Sequence, residues 1–81
     1  MNTATRLMKM ADNKASVSGT YHGQPFRGTV ISSRQVNWSS APEEITIAVE
    51  AGYTFFGQER SHILINSQDV DSGKHQCIER I

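Results

Sequence analysis

The stretch Ser16-Val-Ser-Gly-Thr-Tyr-His-Gly-Gln-Pro-Phe-Arg-Gly-Thr-Val-Ile-Ser-Ser33 decides the fold class. Two runs rich in β-formers flank the tetrad His22-Gly23-Gln24-Pro25, the pattern of a β-hairpin. Gly23 supplies the positive φ of a tight reversal. Pro25, with fixed φ and no N–H, suits the first position of the returning strand. Val17, Gly19 and Tyr21 then share one face, as do Phe26, Gly28 and Val30. Gly19 and Gly28 leave room for a close neighbour or a bulge, so the sheet is expected to curve strongly.

Outward from the hairpin the period-two pattern continues. Ser32-Ser33 reads as the end of the second strand, with Arg34 to Trp38 a short continuation after a bulge or a separate strand. Residues 40–52 carry two signals. Ser40 and Glu43 at capping-box spacing, Pro42, and Gly52 as a C-terminal cap fit a helix. Ile45, Ile47 and Val49 alternating with Thr46, Ala48 and Glu50 fit a strand, and the density of β-branched residues decides for strand. Tyr53 to Phe56, Ser61 to Asn66 and Lys74 to Ile81 read as further strands, separated by turns at Ala51-Gly52 and Gly57 to Arg60 and by a loop from Asn66 to Gly73.

At the N-terminal side, Thr3 to Ala11 holds Leu7, Met8 and Met10 among helix formers but no strong start signal. Residues 1–14 are therefore either a short helix or a disordered tail. The expectation is a mainly β, or α+β, fold: one small domain over residues 15–81. In it an antiparallel meander of five or six strands curls into a half-open barrel, preceded by the 1–14 segment.

Composition narrows the function classes. With 81 residues and 37% hydrophobic content the core is small, which disfavours a large catalytic cleft. A single cysteine, Cys77, allows no internal disulfide, and the first ten residues lack the apolar run of a signal peptide. Both favour the cytoplasm. No segment approaches the ~18 to 20 consecutive apolar residues of a membrane span, so no membrane partner is expected. Net charge is zero, but residues 1–38 hold five cations against one acid and residues 39–81 three cations against seven acids. Such linear asymmetry cancels if the halves fold side by side.

Chemistry-bearing patterns are sparse. His22, His62, His75 and Cys77 are metal-ligand types, yet only His75 and Cys77 have local spacing, on one face of a strand. The plain reading is surface histidines and a small apolar cysteine, with no metal. Asp69 to Gly73 lacks the glutamate and spacing of a calcium loop, and the adjacent Glu43 and Glu44 project oppositely from a strand, so they form no carboxylate pair. No serine sits in a nucleophile elbow and no glycine pattern cradles a phosphate. The chain is expected to be no enzyme and to need no cofactor.

Two binding readings remain. The first is a non-enzymatic interaction module for an unknown protein partner or for self-association. Phe55 and Phe56 would face opposite sides of a strand, leaving one exposed, and Ser61 to Asn66 would form an edge strand able to pair with another chain. An accessory role of the kind that phages and plasmids carry fits such a chain on length alone. The alternative is a small β-barrel that binds nucleic acid through a basic and aromatic surface. The residues for a binding surface are Arg27, Arg34, Tyr21, Trp38, Phe55 and Lys74, although Trp38, and to a lesser degree Tyr21, are better suited to the core.

Overall fold

The computed structural model describes residues 2–36 and 43–80. Its central hairpin is formed by β1 (Ser16–Tyr21) and β2 (Gln24–Gln35), with Tyr21 opposite Gln24. His22 and Gly23 are thus the whole loop. Their φ values of +50° and +79° are both left-handed, the twist that a two-residue hairpin loop needs to match its strands. Pro25 sits one place further in than expected, opposite Thr20. Val30 N donates to Ala15 O at 2.9 Å, so the pairs that exchange hydrogen bonds are those at even positions of β2. Pro25 lies between two of them, where no donor to β1 is required.

β3 (Glu43–Val49) is a strand, as the alternation indicates. Ile45 and Ile47 are fully buried while their neighbours are half-buried. It pairs antiparallel with β2 and, on its other side, with β6 (His62–Asn66). Between Val30 and Ser32 the β2–β3 register shifts by one residue, so Ile31 bulges out and β2 continues past Ser32-Ser33 to Gln35 rather than ending there. The last strand, β7 (His75–Glu79), pairs antiparallel with β1, giving the order β6-β3-β2-β1-β7. Four strands meander, and the fifth returns to the opposite edge. The sheet does not close.

Gly19 and Gly28 allow the curvature. A Cβ on Gly19 would fall on the Gln76 carbonyl of β7, and one on Gly28 would fall on the Ala48 carbonyl and 2.8 Å from Ile47 Cγ2. Neighbouring backbones therefore pass closer than any side chain permits.

The inner face of the sheet carries Val17, Phe26, Val30, Ile45, Ile47, Ile63, Ile65 and Cys77. It is covered by α1 (Thr3–Asp12), whose Leu7, Met10 and Ala11 form a buried stripe at helical spacing. The helix does carry a start signal, one the sequence did not make evident: Asn2 Oδ1 accepts from Thr5 N at 2.8 Å. At the other end Ala15 N donates to Met10 O and Lys14 N to Ala11 O, with Lys14 left-handed at φ +50°, a Schellman stop built without glycine.

Two small pieces complete the cover. β4 (Thr54–Phe55) and β5 (Gln58–Glu59) form a separate miniature hairpin whose Phe55 is fully buried. The segment 66–73, expected as a loop, contains a short helix, α2 (Ser67–Asp71), capped by Asn66 Oδ1 accepting from Asp69 N at 2.8 Å. The same Asn, Ser and Asp residues favour turns and helix starts alike. α2 packs against α1, β6 and β7, so it spans the gap between the two edges of the curled sheet.

Candidate functional site

The two sheet edges differ in how they are finished. Val49 N donates to Ser61 O at 2.8 Å, which directs the backbone groups of odd-numbered residues in β6 toward β3. The N–H and C=O of His62 and Leu64, and the N–H of Asn66, consequently face the open side. Among the described residues no group bonds to those of His62 and Leu64. The strand His62-Ile63-Leu64-Ile65-Asn66 carries no proline, no bulge and no formally charged side chain, and Leu64 is 49% exposed on its outer face. Those are the features of an unguarded edge.

β7 is guarded. Arg80 N donates to Ser16 O at 2.8 Å, so His75, Cys77 and Glu79 direct their backbone groups away from β1. Arg6 of α1 reaches across and donates from Nη1 to Cys77 O at 2.9 Å, occupying that edge with a side chain. Lys74, Glu79 and Arg80 add charges to the strand and its flanks. Between α1 and β7 runs an open groove of about 430 Å³, lined by Arg6, Lys9, Met10, Asn13, Ile78 and Glu79.

A second feature sits where the β1–β2 loop meets the β4–β5 loop. Both loops have two residues, with a left-handed aromatic or histidine followed by a left-handed glycine: His22-Gly23 and Phe56-Gly57. The His22 and Phe56 rings lie 5.3 Å apart. Tyr21 stacks on His75 at 4.6 Å and meets Phe55 edge-on at 5.5 Å, and His22 meets His75 edge-on at 4.6 Å. His22 N donates to His75 Nδ1 at 3.2 Å, which makes Nδ1 an acceptor and places the proton of the neutral ring on Nε2, 3.7 Å from Asp69 Oδ2.

Burial holds the His75 pKa below 6.5. The nearby His22 and Lys74 act in the same direction, while Asp69 and a hydrogen bond with the Lys74 backbone oppose them. Cys77 shares the inner face with His75, as the spacing indicates. Its thiol is pushed up to about 11 by desolvation, with Arg6 pulling the other way. Among the described residues no group of three His, Cys, Asp or Glu side chains could hold a metal ion.

No protein-family model, curated protein or solved structure matches this chain.

The binding residues read from the sequence do not converge. Arg27 and Arg34 are exposed on the outer face of β2, seven positions and roughly 23 Å of strand apart. Arg34 is also engaged, its Nε 2.8 Å from Glu44 Oε1. Tyr21 is half-buried in the histidine stack on the inner side of the sheet. Phe55 is wholly buried and not on the surface, contrary to the expectation from the sequence. Phe56 is the exposed one, at 65%, because the turn begins there and only Phe55 keeps the phase of the strand. Lys74 is exposed in the approach to β7, and Trp38 lies outside the described residues.

Sequence reading found the edge strand 61–66 but missed the asymmetry between the edges. Leu64 was legible as an apolar residue in the outward phase of a strand. The Arg6 contact to Cys77, 71 residues away, left no local signal.

Among the described residues no helix is long and apolar enough to cross a membrane.

Proposed function

We propose that this chain is a non-enzymatic interaction module that works by β-strand addition at the open edge of β6. The observation carrying this reading is the contrast just described: β6 leaves its outward backbone groups unpartnered beside an exposed Leu64, while Arg6 caps the opposite edge. An extended strand placed there would gain main-chain hydrogen bonds and would cover Leu64. A non-enzymatic role is supported by the state of the titratable groups. His75 is enclosed by aromatic rings, Cys77 is buried with a raised pKa, and the groove beside α1 offers Arg6, Lys9 and Glu79 but no hydroxyl or thiol.

The nucleic-acid reading draws less support, since Arg34 is paired with Glu44 and Tyr21 and Phe55 face inward. A titration of the isotope-labelled protein with a synthetic peptide copying residues 60–67 tests the proposal. Amide shifts centred on His62 and Leu64 are expected. Shifts elsewhere, or none at millimolar peptide, would reject strand addition at β6.

A further inference from the structure

We infer that the strand which occupies the β6 edge is β6 of a second copy of this chain, paired antiparallel about a twofold axis at Leu64. The inference rests on the strand-addition reading and names its partner. Its ground is the symmetry of the strand itself: His62-Ile63-Leu64-Ile65-Asn66 reads alike from both ends, apolar at the three central positions and polar and uncharged at the two outer ones. Antiparallel pairing of two such strands sets Leu64 against Leu64 of the second copy, Ile63 against Ile65, and His62 against Asn66. An isologous interface requires this self-complementarity, because one patch must serve as both halves.

The hydrogen-bond phase agrees with that register. Leu64 directs both its N–H and C=O outward, so the central pair exchanges two bonds across the axis. Asn66 N–H is free to donate to His62 C=O of the second copy, and the same bond repeats by symmetry. Asn66 C=O is withheld because an N-cap carbonyl accepts the first bond of its helix, here α2. Sliding the strands by two residues recentres the pairing on Ile63 or Ile65, breaks the match of ends and shortens the ladder.

Charge favours the same orientation. β6 itself brings no like charges together. The exposed Arg60 preceding it would lie toward the end where the second copy carries α2, with Asp69 half-buried and Asp71 exposed. On the outer face the two half-exposed leucines would cover each other, and the two five-stranded sheets would become one of ten strands. A contact of one short strand is small beside the ~1,200 Å² of a standard stable interface, so the dimer belongs to the transient class, micromolar or weaker.

Sedimentation velocity of the whole chain from about 10 μM to 1 mM is expected to show a monomer–dimer equilibrium. Leu64→Lys should weaken it at least about tenfold with an unchanged circular-dichroism spectrum, because a charged side chain on an exposed edge opposes pairing. Leu64→Thr, which keeps a β-former there, serves if the lysine variant does not fold, and should weaken the dimer less. Register is read by oxidation: residues directly opposite lie about 5.5 Å apart at Cα, within disulfide reach. Leu64→Cys should therefore cross-link the dimer at least about tenfold faster than His62→Cys. A wild-type monomer at 1 mM, a dimer indifferent to Leu64→Lys, or faster cross-linking through residue 62 would overturn the inference. If the chain stays monomeric while the 60–67 peptide still shifts His62 and Leu64, the second copy is the wrong partner and strand addition stands. If the peptide also fails, both are wrong.

Discussion

Replacing Gly19 by alanine tests the close approach of β1 and β7, which the curvature of the sheet depends on. The new Cβ would fall on the Gln76 carbonyl oxygen, 2.6 Å from its carbon and 3.1 Å from Cys77 N, where ordinary contact begins at 3.4 Å. These are backbone atoms, so no side chain can swing aside, and β7 must retreat. A retreat of roughly an ångström takes hydrogen bonds of about 2.9 Å out of range. At risk are the exchanging pairs Ser18 with Ile78 and Thr20 with Gln76, together with the bond from Arg80 N to Ser16 O. At ~0.5–1.5 kcal/mol net for each of these five bonds, their loss costs about 2.5–7.5 kcal/mol. The whole domain, at ~0.05–0.15 kcal/mol per residue, has roughly 4–12 kcal/mol. Urea denaturation followed by circular dichroism should show this loss, with a fall in Tm of about 10 °C or more. Gly23→Ala is the control: nothing lies within 4 Å of its Cβ, so only left-handed strain of about 1–2 kcal/mol applies at φ +79°. The argument fails if Gly19→Ala is no worse than Gly23→Ala, or if a large loss leaves the β7 amides exchanging as slowly as in the wild type.

Stability should also depend on pH through His75. Its folded pKa lies below the unfolded 6.5, so the unfolded chain binds the proton more readily. Stability is then fully present above pH 6.5 and falls as pH drops from there toward the folded pKa. Denaturation midpoints at pH 5 and pH 7.5 should differ for the wild type and differ less for His75→Gln. The two adjacent phenylalanines should respond oppositely. Phe55→Ala is expected to cost about 3–5 kcal/mol from a fully buried site, while Phe56→Asn, relieving a bulky side chain at φ +54°, should be neutral or stabilising by up to about 1 kcal/mol in the same assay. Cys77, buried and with its pKa raised to about 11, should resist a thiol-specific reagent at pH 8 until denaturant is added. Rapid labelling of the native protein would contradict that burial.

The elements that proved legible are those whose signal is local. The turn tetrad placed the β1–β2 reversal, and the alternation of Ile45, Ile47 and Val49 outweighed the competing cap signals because three β-branched side chains favour a pleated, half-buried surface. α1 was half legible, its apolar stripe visible but its cap at Asn2 set too near the start of the sequence to stand out. α2 was missed since five residues carry no periodicity and their types serve turns equally well. Pairing order was the least accessible: nothing in the residues of β7 says that it returns to β1 rather than continuing beside β6. The candidate surface follows the same division. Leu64 and its strand were visible, whereas the guarding of the other edge by Arg6 is a long-range contact.

The return of β7 to β1 has a kinetic consequence. Val17 meets Glu79 and Tyr21 meets His75, contacts that close loops of more than fifty residues, whereas the β1–β2 reversal closes over two. Chain entropy must be surrendered before that ladder is rewarded, which raises the relative contact order and moves folding toward the millisecond-to-second regime of non-local β proteins. Until β7 docks, β1 is itself a bare rim. A nascent chain would then offer a sticky border on either side and stay open to misassembly until that ladder forms.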